Sequence, residues 1–231
     1  SVYRRADKVL CISKASGASF NKLLGVKASK ITVSYLAPVN TAVEPDNRLA
    51  NKIQKTFIFY IGGTDIRKSL KDIVYAYNIA RGRGDSLALV LAGNEFREVK
   101  LIPDIEGRNA ILNSPYNEDI CLVGFINDNE KMGLYRNARA FVFASTYEGF
   151  GLPIVEAMEA ECPVVAYDNS SIPEVAGDAA LLVKTGDIVS LANNILGLED
   201  VNLRKDLVRK GLAQSKQFTW QAHVESFLEC L

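Results

Sequence analysis

Ala140-Phe-Val-Phe-Ala-Ser-Thr-Tyr-Glu-Gly-Phe-Gly-Leu-Pro-Ile-Val-Glu-Ala-Met-Glu159 reads as a strand, a glycine-bearing loop and the start of a helix. Residues 140–144 are a short unbroken apolar run of the kind buried in parallel sheets. Pro153 suits the first position of a helix, so residues 148–152 should form the connecting loop and Glu156 should lie in the first helical turn. On either side, similar apolar runs stand at residues 8–13, 30–35, 56–61, 87–92, 120–123, 163–166 and 180–183. Between them apolar residues recur three and four apart. Leu70, Ile73, Val74 and Tyr77 make one face, with Lys71, Asp72 and Asn78 on the other. This strand–helix alternation predicts an α/β fold, an open parallel sheet doubly wound with helices on both faces. The polar, turn-rich residues 37–55, with Pro38, Pro45, Asp46 and Asn47, interrupt the rhythm and read as a linker. From Asp187 onward the pattern is helical.

Of 231 residues, 48% are hydrophobic and 23% charged, an ordinary globular composition. Lysine and arginine number 27, as do aspartate and glutamate. This balance, with an isoelectric point near 6.6, argues against a generic nucleic-acid binder. An anionic ligand must be held by local charge. Cys11, Cys121, Cys162 and Cys230 are scattered, with no C-x-x-C and a single histidine, His223, so zinc ligation and thioredoxin-type redox chemistry have no basis. No apolar run is long enough to span a membrane and the N-terminus lacks the form of a signal peptide; a cytoplasmic location is the expectation.

Two segments carry chemistry. Ile61-Gly-Gly-Thr-Asp-Ile-Arg-Lys-Ser69 follows a predicted strand and opens a predicted helix, where α/β sheets bind phosphate. Gly62 with Arg67-Lys68-Ser69 has P-loop spacing, but Arg67 replaces the second glycine and would obstruct the backbone cradle. An NTPase is thereby set aside, while Arg67 and Lys68 remain suited to phosphate, as a planar fork and a point charge. Two cations in a first helical turn oppose the helix dipole and need a compensating reason. Dinucleotide-binding fingerprints fail at Gly82-x-Gly84 and Gly149-x-Gly151, where Leu87 and Ile154 take the place of the third glycine.

In the opening segment, Gly149 and Gly151 let a ligand approach the backbone, and the following helix offers free N–H groups to an anion. Glu148 and Glu156 flank this loop. A carboxylate does not bind phosphate, so its natural partners are hydroxyls, of a ribose diol or a sugar ring. Alone, Glu156 is explained as a first-turn acid; its combination with Glu148 and the glycines asks for more.

On these residues the sequence resembles the retaining, nucleotide-sugar-dependent glycosyltransferase family 4, whose fold is the two-domain GT-B type. The family signature is a pair of glutamates with seven residues between them, and Glu148 and Glu156 stand at that spacing. Matches follow at Arg67-Lys68, at residues 87–93, at Val123-Gly-Phe-Ile126, Leu134-Tyr-Arg-Asn-Ala138 and Cys162-Pro-Val-Val-Ala166, and at Ser170-Ser-Ile-Pro-Glu-Val-Ala-Gly-Asp-Ala-Ala-Leu-Leu-Val183. They cover nearly all of residues 56–200. The resemblance implies a Rossmann-like, doubly wound parallel sheet of the GT-B C-terminal type in residues 56–231, binding the nucleotide sugar. It further implies a linker at 41–55 and, in residues 1–40, the tail of an acceptor-side N-terminal domain whose remainder would lie upstream.

It also implies roles. Arg67 and Lys68 would bind the donor diphosphate beside Gly62 and Gly63, Glu148 the donor-sugar hydroxyls and Glu156 the ribose diol. Gly149, Phe150, Gly151 and Leu152 would supply backbone N–H groups, and Gly124, Phe125 and Ile126 would lie beside the base. Many members carry arginine in place of Gly63, and glycine or asparagine in place of Ser69, so this clamp is one cation lighter. Glycine is also usual where Glu161 stands; Glu161 either accepts a strained helix cap or the helix ends differently.

The implied reaction is a retaining transfer of a hexose, with a lean to mannose from GDP-mannose and UDP-sugars left open. The acceptor would be a glycan or a lipid-linked molecule in polysaccharide- or lipopolysaccharide-type biosynthesis. No Asp-x-Asp is present, Asp128-Asn-Glu130 being the nearest, so neither metal nor cofactor is expected. A non-catalytic nucleotide-sugar-binding module or partner subunit is the alternative. Nucleic acid is not an expected partner. Arg204, Lys205, Arg209, Lys210 and Lys216 read first as a solvated helix face and second as a peripheral contact with a membrane. Without its acceptor domain the chain is expected to be inactive alone.

Overall fold

The computed structural model describes residues 2–38 and 43–230. It opens with helix α1 (Val2–Arg5), strand β1 (Val9–Cys11), helix α2 (Lys14–Leu24) and strand β2 (Ile31–Val33). β1 and β2 pair in parallel as a sheet of their own, with Val9, Cys11 and Val26 buried beside Phe20 and Leu24. The expected boundary between residues 40 and 41 lies outside the described residues. Within the expected linker stands a short helix, α3 (Arg48–Lys52).

Strand and helix then alternate through β3 (Thr56–Ile61), α4 (Leu70–Gly82), β4 (Leu87–Ala92), α5 (Ile105–Leu112), β5 (Ile120–Gly124), α6 (Asp128–Asn137), β6 (Ala140–Phe143) and α7 (Leu152–Glu159). They continue through β7 (Val164–Asp168), α8 (Ile172–Ala176), β8 (Ala180–Lys184), α9 (Ile188–Gly197), α10 (Val201–Ser215) and α11 (Trp220–Leu228). The larger sheet is six-stranded and wholly parallel, in the order β5-β4-β3-β6-β7-β8. This is the doubly wound α/β architecture that the apolar runs predict. The departure at α3 has a tertiary cause: α3 packs against α6 and buries Ala50, a contact that polar composition does not announce.

Alternation along the strands feeds two cores. Phe57 and Phe59 of β3 join Phe141 and Phe143 of β6 on the face covered by α6 and α7, while Ile58, Tyr60, Ala140 and Val142 face α4, α5 and α9. All are at most 2% exposed, and each of the larger ones contributes about 1.5–3 kcal/mol by leaving water. On α4, Leu70, Ile73, Val74 and Tyr77 form the buried face as expected. Asp72 does not stay on the polar face. It is buried and accepts a hydrogen bond from the Tyr167 hydroxyl at 2.7 Å, because α4 packs against α5 and α9 as well as the sheet.

From β3 the chain winds to β4 and β5 on one side, and from β6 to β7 and β8 on the other. The strand order reverses between these two adjacent strands, and open α/β sheets bind ligands at the strands' carboxyl ends where that happens.

Candidate active site

Arg67 and Lys68 lie in the loop after β3, in a 3-10 turn, Ile66–Lys68, and α4 begins only at Leu70. The expectation that they occupy a first α-helical turn is thus corrected. Ser69, with φ of 47°, separates them from α4, whose first-turn acid is Asp72. Asp65 accepts from the Arg67 N–H and from its guanidinium, both at 2.9 Å, and relieves the conflict with the backbone dipoles. The Arg67 carbonyl accepts from the Thr146 N–H at 2.7 Å and from the Ser145 and Thr146 hydroxyls at 3.2 Å, locking the loop after β3 to the loop after β6.

Across that join Lys68 Nζ lies 2.5 Å from Glu148 Oε1 and 5.4 Å from the Phe143 ring centre. These side chains are 21% and 15% exposed, so their attraction is screened less than that of a surface pair. Gly151, at φ +104°, turns the loop into α7, and no side chain caps that helix. Among the described residues the N–H groups of Gly149, Phe150, Gly151 and Leu152 have no partner, leaving donors free for an anion.

The position expected for Glu156 is also corrected. Gly151 starts the helix at Leu152, Pro153 is its second residue, and Glu156 falls in the second turn, the first holding no acid. The helix dipole therefore does not account for Glu156. Its carboxylate is held by Lys131 of α6 at 3.0 Å and by the Tyr135 hydroxyl at 3.4 Å. Lys131 also lies 3.1 Å from Asp128. Burial works against the Lys131 ammonium, but the facing Glu156 and Asp128 outweigh it and raise its pKa. Burial first, and Glu156 second, keep the Tyr135 phenol protonated. Lys131 carries no signal in the sequence, and Tyr135 stands in a matched stretch without a role; a capping box from Asn127 to Glu130 marks the start of α6, yet nothing local links that helix to Glu156.

At the end of β5, Gly124 takes φ +68°, accepts from the Gly93 N–H and donates to the Phe96 carbonyl, both at 2.8 Å. Phe125 is 68% exposed, whereas Ile126 and Phe150 are 8% and 3% exposed and belong to the core. Phe150 packs against the rings of Tyr35 and Phe218, at 6.0 and 5.5 Å, and those two rings also touch, at 5.6 Å. Ile126 and Phe150 thus offer the crevice their main chain only. Gly62 is hemmed in by the Tyr60 hydroxyl, 2.7 Å from where a Cβ would stand, but Gly63 looks onto open space. Glu161 takes the strained cap, at φ +60°.

The loop after β6 is gripped from two sides. Behind it, the Ser170 hydroxyl accepts from the Glu148 N–H at 2.9 Å, and the buried Ser171 hydroxyl lies 3.0 and 2.9 Å from the Glu148 and Phe150 carbonyls. The Asn169 amide donates to the Ser145 carbonyl at 2.9 Å. On the other side, the Ser16 hydroxyl of α2 donates to the Gly149 carbonyl at 3.1 Å. Among the described residues, no three His, Cys, Asp or Glu side chains converge to hold a metal ion, and no helix is long and apolar enough to cross a membrane.

A family model described as Glycosyl transferases group 1 matches residues 44–214. O-antigen chain mannosyltransferase B of Escherichia coli is 32% identical over 228 residues, which cover 94% of this chain and 58% of that protein. Serotype-specific mannosyltransferase WbdA of Escherichia coli is 25% identical over 246 residues, covering 99% of this chain and 29% of that protein. This chain therefore spans 58% or less of the length of these two relatives. Among solved structures, a sucrose-phosphate synthase from Thermosynechococcus elongatus superposes with a TM-score of 0.80 at 23% identity, over 99% of this chain and 58% of that one. HepE of Anabaena in complex with UDP and glucose gives 0.82 at 19% identity, over 100% of this chain and 65% of that one. These structures share the fold.

Proposed function

The chain belongs to the glycosyl transferases group 1 family, and from that premise we propose that the crevice between β3 and β6 binds a nucleotide sugar whose hexose passes, with retention, to a glycan or lipid-linked acceptor. The observation that carries this reading is the contact of Lys68 with Glu148 beside the uncapped start of α7. A cation and free N–H groups suited to a diphosphate stand next to a carboxylate suited to sugar hydroxyls.

Departure of the nucleoside diphosphate breaks the C1–O bond and leaves negative charge on the β-phosphate. Arg67, Lys68 and the N–H groups of Gly149, Phe150, Gly151 and Leu152 stabilise that charge where it develops. Glu148 holds the sugar hydroxyls, and Glu156, oriented by Lys131 and Tyr135, holds the ribose diol. Phe125 lies beside the base together with the main chain of Gly124 and Ile126. Gly63 keeps the phosphate approach open beside Gly62, whose missing side chain leaves room for the Tyr60 hydroxyl. No side chain of this chain acts as the nucleophile; the acceptor attacks from the face the leaving group vacates, and a donor phosphate oxygen takes its proton.

Mannose from GDP-mannose is the finer reading, supported by the mannosyltransferases among the relatives; UDP-sugars are the other. Residues 56–231 form the donor domain and 41–55 its linker. Residues 1–40 are the tail of the acceptor-side domain, without which the chain binds donor but does not turn over. The reaction is placed in the cytoplasm and without metal. Two cations at the leaving group and the missing Asp-x-Asp support metal independence. Calorimetry of the chain with GDP, GDP-mannose, UDP and UDP-glucose in a chelator tests it. Binding of a nucleotide and its sugar under those conditions is expected; binding that appears only with magnesium or manganese overturns the clamp.

A further inference from the structure

The first turn of α2 carries no acid of its own. Its leading N–H groups are satisfied nevertheless. The Ser16 N–H donates to the Ser13 hydroxyl at 2.9 Å, and the Lys14 and Ala15 N–H groups donate to the two carboxylate oxygens of Glu174, at 2.9 and 3.0 Å. One oxygen per N–H makes a bidentate, charge-assisted cap where the helix dipole favours negative charge. It is supplied from α8, 160 residues away in the chain. The Tyr35 hydroxyl donates to the same carboxylate at 3.2 Å. Burial first, then the Glu174 charge, pushes that phenol up to about 12, which keeps it a donor. The Tyr35 ring lies against Phe150 of the donor loop.

The same short stretch that carries Glu174 carries the rear grip on that loop, Ser170 and Ser171, and the helix that Glu174 caps carries the front grip, Ser16. Glu174 joins the two. We infer that Glu174 is a positioning residue through which the N-terminal segment sets the shape of the donor loop; its consequence for donor binding rests on the function proposed above. With α2 seated on Glu174, the Gly149 carbonyl is held and the free N–H groups beside it keep one arrangement. With α2 released, the Gly149 carbonyl loses this partner, and the loop is left to Ser170 and Ser171 behind it and to Asn169 and the Arg67 carbonyl at its start.

Residue-resolved hydrogen exchange on this chain tests the coupling without any ligand. Glu174→Ala should speed exchange at Lys14 and Ala15 and also at Thr146 and Glu148, the hydrogen-bonded amides of the donor loop, by about tenfold or more, leaving β4 unchanged. Glu174→Gln, which keeps the size and one acceptor oxygen, should fall between. Ser16→Ala removes the hydroxyl contact with the Gly149 carbonyl, together with the hydrogen bond from the Ser13 hydroxyl, and leaves Glu174 on the Lys14 and Ala15 N–H groups; it should speed exchange at Thr146 and Glu148 while Lys14 and Ala15 stay protected. Loop exchange unchanged in Glu174→Ala overturns the inference, and if that variant fails to fold, loop exchange unchanged in Ser16→Ala does so. In a second arm, GDP and UDP are titrated into each protein, and Glu174→Ala should weaken the bound nucleotide about tenfold. If the unaltered chain binds neither, the donor assignment fails and exchange still decides the coupling. If the loop loosens but affinity holds, the consequence for binding is refuted.

Discussion

The Glu156 carboxylate receives the Lys131 ammonium on one oxygen and the Tyr135 hydroxyl on the other, so it is oriented from α6 and not by the helix that bears it. A diol approaching Glu156 meets an acceptor already aimed.

Glu156→Gln is therefore expected to weaken GDP or UDP and the matching nucleotide sugar alike, by roughly 1.5–3 kcal/mol, the worth of a charge-assisted hydrogen bond. Lys131→Met, which leaves the carboxylate unpaired and free to turn, should move both affinities in the same direction. Isothermal titration of both variants checks this.

Glu148 faces Lys68 at the other end of the loop. Glu148→Gln should spare the bare nucleotide and weaken the nucleotide sugar, since its partners are on the sugar. Equal loss for both ligands would reject this division between the two glutamates.

The strands were legible because those buried on both faces need only a short apolar run, and every predicted run overlaps one. Arg67, Lys68, Glu148 and Glu156 stood out as candidates through spacing and through the loops they sit on. Their partners did not. Lys131 reaches Glu156, and Ser171 reaches Glu148, across strand crossovers that no local pattern records. The start of α7 was misplaced because the left-handed Gly151, and not Pro153, turns the chain. The burial of Asp72 went unseen because the period of one helix does not tell how many neighbours it packs against.

Glu159, on the turn after Glu156, has its pKa raised from the ordinary 4.5 to about 7, by burial first and Glu156 second. A carboxyl raised on folding contributes stability in full below its unfolded pKa and loses it as the pH rises through the folded one. Glu159→Gln should therefore melt at a higher temperature than the unaltered chain at about pH 8, with the difference gone near pH 4.5. Equal melting at the higher pH would show that Glu159 ionises without penalty.

Gly151→Ala puts a side chain on a backbone at φ +104°. The added Cβ would meet Ile154, at 3.5 Å from Cδ1 and 4.0 Å from Cγ1, ordinary contacts, so the cost is conformational, about 1–3 kcal/mol. Thermal melting should show that loss, and calorimetry a weaker nucleotide as the loop shifts.

β3 and β6 lie side by side at the middle of the sheet, yet they pair in register only at Ile58 with Ala140 and Phe59 with Phe141, where β3 and β4 pair along their whole length. That line is the shortest seam in the sheet, and the residues facing each other across its end, Lys68 and Glu148, are 80 positions apart in the chain. Pulling the two halves of the molecule apart has to open this seam. A donor resting on the β3 loop and on the start of α7 would act as a stitch across it, so occupancy of the crevice and resistance to tearing would rise together.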